Sequence, residues 1–263
     1  MSMIDKGLIL RRFSSAAEGY DQAAVFQRYI AQELVALAKN QDVRPLSGEV
    51  LEVGCGTGLY SHELMSWLGN SSYLYTLNDL SPAIESQLRE KVGATPRFIA
   101  GDAEELDWSS RHYTLITSSS AIQWWHTPLS FIQKASEALL PSGFLTYSTF
   151  LPDNLLQLRQ ATGQGLQYQS KEEHHLQLQA SGFTEIHMEE RRETLYFPSL
   201  IKLLQHLKQT GTNALRAQNE GPAWTASRLV TLEEQYRSIA QLAPHEPLPL
   251  TYVALLVTAH LPS

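Results

Sequence analysis

From Gly48 onward, short apolar runs rich in β-branched and aromatic residues alternate with stretches whose apolar positions recur at helical spacing. The runs cover residues 49–53, 73–77, 97–100, 113–118 and 143–150, and helices are expected between several of them, over 59–68, 82–91 and 128–140. The breaker Pro141-Ser142-Gly143 stops the last of these helices before its strand begins. A sixth strand is expected at 184–190, after a helix that ends at Ser181-Gly182, and a seventh at 250–260. Strand and helix in steady alternation specify an α/β fold with a mostly parallel sheet.

Two segments lie outside that alternation. Residues 5–40 read as helical, with Ile30, Leu34, Leu37 and Ala38 on one face. Residues 198–245 hold two further helical patterns, 200–209 and 226–242, between the last two strands. If those strands pair antiparallel, the insertion is too long for a hairpin loop. It is expected to fold, with the N-terminal helix, over the C-terminal edge of the sheet as a lid, because open α/β sheets bind small molecules there. The 263 residues then make one domain: a helical lid at 5–40, a core at 48–197 and 246–263, and the insertion at 198–245.

Composition narrows the class. No stretch approaches the roughly 20 apolar residues of a membrane-spanning helix. The opening MSMIDKGLILRRF has too short an apolar run for a signal peptide. One cysteine, Cys55, rules out an internal disulfide and fits a reducing compartment, so the cytoplasm is the expected location. A net charge of −7 argues against broad nucleic-acid binding, which needs phosphate-neutralising cations.

The chemistry concentrates after three strands. Val50-Leu51-Glu52-Val53-Gly54-Cys55-Gly56-Thr57-Gly58 runs a strand into three alternate glycines and then into a helix. Glycine permits the sharp turn and lets a ligand approach main-chain atoms, while the helix start favours a carboxylate or phosphate. The spacing G-x-G-x-G differs from the dinucleotide fingerprint G-x-G-x-x-G, and Glu52 two residues before the first glycine resembles motif I of class I methyltransferases. Asp79, roughly 20 residues on at the end of the second strand, suits a pair of ribose hydroxyls, with Leu80 against an adenine face; the bland alternative is a helix cap before Pro82. Asp102 and Ala103 follow the third strand, where that superfamily reads the adenine edge. Three elements in register with one ligand imply S-adenosylmethionine as cofactor, with S-adenosylhomocysteine as its product. Ser118, Ser119, Gln123 and Trp124 follow the fourth strand, where the transferring methyl and its acceptor are expected. Of the adjacent Trp124 and Trp125, only one can face a site if they lie on a strand. Glu172-Glu173-His174-His175 is read as a solvated surface rather than a metal site, and Cys55 as a packing residue; no metal is expected.

Four further segments carry a narrower resemblance. Arg12-Phe13-Ser14-Ser15-Ala16-Ala17-Glu18-Gly19-Tyr20-Asp21, Ala121-Ile122-Gln123-Trp124, His206-Leu207-Lys208-Gln209-Thr210-Gly211-Thr212-Asn213 and Pro249-Leu250-Thr251-Tyr252 together resemble the malonyl-acyl-carrier-protein O-methyltransferases of biotin synthesis. The likeness departs at Ser119, often Asn in that family, and at Thr212, often Ala. It implies a Rossmann-like seven-stranded class I methyltransferase sheet with its last strand antiparallel. It also implies methylation of the free carboxylate of malonyl-acyl-carrier protein or malonyl-CoA. Tyr20 is then the candidate for orienting that carboxylate, and Arg11 or Arg12 for supplying charge. An acidic carrier calls for a basic patch drawn from Lys202, Lys208, Arg216, Arg228, Arg191 and Arg192. The rival expectations are a methyltransferase acting on a free small carboxylic acid or other small molecule, a nicotinamide-dependent oxidoreductase, and a non-catalytic cofactor sensor.

Overall fold

A computed structural model describes residues 4–43, 45, 47–69, 72–108, 112–212 and 225–263. The strands are β1 (Gly48–Val53), β2 (Tyr73–Asp79), β3 (Arg97–Ala100), β4 (Tyr113–Ser119), β5 (Leu139–Phe150), β6 (Thr184–Phe197) and β7 (Leu248–His260). They form a seven-stranded sheet among the described residues, in the order β3-β2-β1-β4-β5-β7-β6. The pairings among β1 to β5 are parallel, whereas β7 runs antiparallel to both β5 and β6. The order reverses between β1 and β4. Loops leaving adjacent strands there diverge to opposite sides, and a crevice opens at the carboxyl ends.

The helices are α1 (Lys6–Ala23), α2 (Val25–Asn40), α3 (Leu59–Leu68), α4 (Glu85–Val92), α5 (Ser130–Ala138), α6 (Leu156–Thr162), α7 (Lys171–Ala180), α8 (Leu200–Gln209) and α9 (Ala226–Ile239). The apolar face read for residues 30–38 is buried in α2, where Phe26 also stacks on Tyr252 with ring centroids 4.8 Å apart. On the opposite side of the sheet Phe131 of α5 meets Trp108, Trp125 and Tyr147 edge to face. Edge-to-face aromatics of this kind add about 0.5–1.5 kcal/mol each beyond their buried area.

Three local expectations need correction. The helical stretch 5–40 breaks at Ala24, whose φ −79° and ψ 47° leave the helical region, so that α1 and α2 take different directions. The helix expected to reach residue 140 ends at Ala138, and Pro141-Ser142-Gly143 lies inside β5 at an irregularity where Tyr113 pairs with Leu139 but Leu115 with Phe144. The sixth strand runs on to Phe197, because β7 pairs with it from His260 back to Leu248. The charged run Glu189-Glu190-Arg191-Arg192-Glu193 on this outermost strand discourages edge-to-edge pairing with another chain.

Candidate functional site

The loop after β1 is built on backbone angles that other residues resist. Gly54 has φ +71°, and a Cβ there would lie 2.2 Å from the Cβ of Ala121. Gly56 has φ +51° and nothing within 4 Å of its missing Cβ, which leaves its main chain open to the crevice. Asp79 ties this loop to β2: one carboxylate oxygen accepts from Gly56 N–H at 2.9 Å, the other from Ser81 N–H at 2.8 Å. Asn78 donates to the carbonyls of Ile99 and Gly101 at 3.0 Å, which joins the exit of β2 to that of β3. Three strand ends are thus locked into one wall.

That wall bounds a cavity of about 150 Å³. Of the residues singled out in the sequence, Tyr20, Gly54, Cys55, Gly56, Asp79, Leu80, Asp102, Ala103, Ser119 and Trp124 line it. Others do not reach it. Glu52 is buried behind the glycine loop, Gly58 starts α3 against Leu88, and Ser118 donates its hydroxyl to the carbonyl of Val53 at 2.8 Å. Ser118 is spent on this bond to the neighbouring strand, whereas Ser119, the next residue and on the other face of the pleat, lines the cavity. Ser120, the third serine of this run, lines the cavity with φ +54° and a buried hydroxyl that lacks a partner. Trp124 and Trp125 both reach the cavity, contrary to the strand-based expectation. Ile122–Trp124 is a 3₁₀ turn, on which alternation does not hold.

The roof is α1. Three separate ties hold it, one to each loop. Lys6 bonds Asp102 at 2.6 Å and Glu104 at 2.5 Å beyond β3. Ser14 bonds Ser81 at 2.9 Å beyond β2. Asp21 accepts from Thr57 at 2.6 Å beyond β1 and pairs with Lys91 at 2.6 Å. Between the ties Ile9, Leu10, Phe13 and Ala17 present apolar surface to the cavity, and Phe13 meets Trp124 edge to face. Arg11 and Arg12 line neither this cavity nor the one described below.

Burial governs the protonation of the site's acids. Burial raises the carboxyl of Asp79 despite the N–H bonds from Ser81 and Gly56 that oppose it. Glu52 is pushed up to about 8, mainly by burial and further by the Asp79 charge. Burial, with the charges of Asp79 and Glu52, also raises the Cys55 thiol well above its ordinary value, so it is no ready nucleophile. The Tyr20 phenol is raised by burial and then by Asp21 and Asp79, so it stays protonated and acts as a donor. Lys6, the cation among the described lining residues, is already taken by two carboxylates. Asp79 thus offers acceptor oxygens for hydroxyl donors, and Tyr20 and the orphan Ser120 hydroxyl offer polar contacts to a ligand in the cavity.

A smaller cavity of about 30 Å³ adjoins, with Trp124 as the shared wall. Gln123 lines it, donating to the carbonyl of Ser120 at 2.6 Å while its own carbonyl oxygen is buried without a partner. Asn154, Arg159, Tyr168 and Tyr252 complete its polar lining, and Thr212 is the insertion's contribution. The end of α8 meets α1 at Gly211, where a Cβ would approach the Phe13 ring to 2.9 Å.

Other marked residues fall elsewhere. Lys208 and Lys202 are exposed on α8 and line neither cavity. Arg191 is engaged by Glu33 and Glu189, and Arg192 by Asp153. Arg228 sits on α9, and Arg216 lies outside the described residues. His174, read as surface, is instead buried: it bonds the Tyr147 hydroxyl at 3.0 Å, and burial lowers it to about 4. Glu173 caps α7 through Ser170. No metal-ligating cluster occurs among the described residues.

The fold and the cavity at the ends of β1, β2 and β3 define a class I methyltransferase that uses S-adenosylmethionine. The methyltransferase domain family matches residues 50–143. The fold is shared with the YcgJ protein of Bacillus subtilis (TM-score 0.61, 14% identity, 88% of this chain and 98% of that one). It is shared also with the plantazolicin methyltransferase BpumL, solved with S-adenosylhomocysteine (TM-score 0.51, 13% identity, 98% and 96%). Curated relatives narrow the class. The malonyl-[acyl-carrier protein] O-methyltransferase of Bacteroides thetaiotaomicron is 36% identical over 97% of this chain and 98% of its own length. Those of Porphyromonas gingivalis (36%; 97% and 96%) and Haemophilus ducreyi (31%; 98% and 97%) are similar throughout. The chain belongs to the malonyl-[acyl-carrier protein] O-methyltransferase family.

Proposed function

We propose that this protein methylates the free carboxylate of a malonyl thioester, carried on acyl-carrier protein or on CoA, to give the methyl ester. The full-length likeness to relatives named for that activity carries the acceptor assignment. The adjoining cavities supply room for donor and acceptor on either side of Trp124. On this reading the ester is an early intermediate of biotin synthesis made in the cytoplasm, in keeping with the names of the relatives and with a chain that has one cysteine. No helix among the described residues is long and apolar enough to cross a membrane.

S-adenosylmethionine supplies an electrophilic methyl on sulfur; the residues hold, orient and exclude water. Glu52, Gly54, Cys55, Gly56 and Gly58 shape the loop for its methionine end. Asp79 and Leu80 take the ribose and one face of the adenine, Asp102 and Ala103 the adenine edge, and Ser119 with Ser120 the amino group. Gln123 and Trp124 bound the acceptor. A carboxylate is ionised near neutral pH, so the site needs no strong base, and positioning in a dry cavity is the main contribution. Tyr20, protonated and facing the cavity, donates to one acceptor oxygen and leaves the other to react. Helix α1 acts as the lid over the cofactor, and the insertion borders the acceptor side through Thr212. Lys202 and Lys208 offer exposed charge for an acidic carrier.

The test offers methyl-labelled S-adenosylmethionine with malonyl-carrier protein, malonyl-CoA and free malonate in parallel. Base-labile label on a malonyl thioester is the expected result. Label on malonate alone would replace the carrier substrate by a free acid, and no label on any of them would overturn the acceptor assignment.

A further inference from the structure

We infer that Arg159 is the cation that binds the acceptor's carboxylate in the smaller cavity. This rests on the malonyl-thioester reading and names the group that recognises its anionic end. An anion drawn out of water requires a counter-charge or dense hydrogen bonding. Two cations line the described cavities. Lys6 is neutralised by Asp102 and Glu104, whereas Arg159 makes no ion pair among the described residues.

Arg159 is also held in place. It sits in the last turn of α6, with one guanidinium nitrogen, Nη1, donating to the carbonyl of Pro152 at 2.5 Å. The guanidinium lies over the Tyr168 ring, 5.4 Å from its centroid. Gly165, at φ +151°, lets the chain pass so closely that a Cβ there would come within 2.6 Å of Arg159 Cγ. Its Nε and Nη2 remain without acceptors among the described residues, which leaves the two-pronged edge that matches a carboxylate.

The neighbouring hydrogen bonds add a second donor. Val253 N–H donates to Asn154 Oδ1 at 3.1 Å, which fixes the amide and turns its NH₂ to the Tyr168 oxygen at 3.0 Å. Tyr168 therefore accepts from Asn154, and its own proton is left to donate. A carboxylate at the Trp124 boundary meets the guanidinium and a phenol O–H on the side of the smaller cavity, both held by other groups, while its remaining lone pairs face Tyr20 and the methyl donor in the larger one. When an acceptor oxygen gains the methyl carbon as the carbon–sulfur bond breaks, the acceptor's charge disappears and no proton is released. The contact with Arg159 then weakens, which favours departure of the neutral ester. Because the contact is already made before transfer and weakens during it, its loss raises KM without lowering kcat.

The experiment compares wild type, R159Q and R159K with malonyl-carrier protein as substrate and acetyl-carrier protein as competitor. The two carry the same phosphate and thioester and differ in the carboxylate. Expected for R159Q is a rise of about 10- to 100-fold in KM for the malonyl form. The acetyl inhibition constant and S-adenosylhomocysteine affinity stay within about threefold, as for a change confined to one contact. R159K, which keeps the charge but loses the fork, falls between. Equal weakening of malonyl and acetyl forms, or an unchanged malonyl KM, overturns the inference and points to a structural or phosphate-binding role. Wild-type preference for malonyl over acetyl binding without turnover, lost in R159Q, would sink the proposed reaction and keep Arg159 as the carboxylate's partner. Absence of both turnover and preference would sink both.

Discussion

Removing the Lys6 ammonium while keeping its aliphatic stem, as in Lys6→Met, should loosen the N-terminal end of α1 and weaken cofactor binding. The ammonium holds two carboxylates from the loop after β3, at 2.6 Å to Asp102 and 2.5 Å to Glu104, with its side chain 16% exposed. Bonds to charged groups contribute about 1.5–3 kcal/mol, and exposed ion pairs under about 1 kcal/mol. This mostly shielded arrangement falls in the lower part of the range for charged groups, at about 1.5–2.5 kcal/mol for the pair of contacts. Burial alone would raise Glu104, but the bonds from Lys6, His126 and Thr127 hold its carboxyl below the ordinary range. With two backbone donors remaining, Glu104 should stay ionised in the variant, leaving neighbouring negative charges unopposed. The ties at Ser14 and Asp21 keep the rest of α1 in place, so the loss acts on closure over the cavity rather than on folding. If that closure accompanies binding, its cost appears in the dissociation constant for S-adenosylhomocysteine as a rise of about 10- to 70-fold. Calorimetric titration at low and high salt reads it. Wild-type affinity should fall with salt towards the variant's, the variant should respond less, and Lys6→Arg should recover most of the loss. An unchanged dissociation constant at low salt would refute the view that α1 closes over the cofactor through this contact.

Tyr20→Phe should lower turnover about tenfold or more while S-adenosylhomocysteine binds as before, consistent with the loss of one positioned donor; an unchanged rate would remove Tyr20 from the orienting role. Gly54→Ala places a methyl group 2.2 Å from Ala121 at φ +71°, so a loss of about 2–4 kcal/mol in urea unfolding is expected, with cofactor binding impaired. His174, lowered to about 4 by burial, binds its proton more readily when unfolded. Stability therefore falls as pH drops below about 6.5, by on the order of 3 kcal/mol once pH reaches the folded value. Melting curves between pH 7 and the onset of acid unfolding should show His174→Gln less pH-sensitive than wild type, and parallel curves would count against the buried neutral histidine.

Much of the cofactor site could be read along the chain, because each part is local. A buried strand, a glycine turn and the following helix lie within Val50–Gly58, and Asp79 and Asp102 stand at the ends of the next two strands. Strand periodicity with intervening helices was enough to specify the sheet. Where several residues compete for one role the local pattern was silent. Ser118, Ser119 and Ser120 look alike in sequence, yet only the pleat and the turn after β4 decide that the first bonds within the sheet and the other two reach the cavity. The expectation that only one of Trp124 and Trp125 faces the site rests on a strand argument that fails on a 3₁₀ turn. His174 was misplaced because a single turn of polar residues does not reveal that Tyr147 waits behind it.

What only the tertiary structure decided is the closure of the site. The ties from α1 join residues 36, 67 and 96 positions apart, and no pattern along α1 announces their partners. Arg159 and Tyr168 likewise come to line one cavity with Gln123 and Tyr252 through packing of α6 and the following loop against the sheet. The sequence by itself determined the elements and the cofactor-binding loops, since backbone preference and hydrophobic period act over a few residues. It left open which distant charges neutralise one another and which remain exposed to a ligand. That distinction depends on distances across the fold, because Coulomb attraction and hydrogen bonds act between atoms brought together in space.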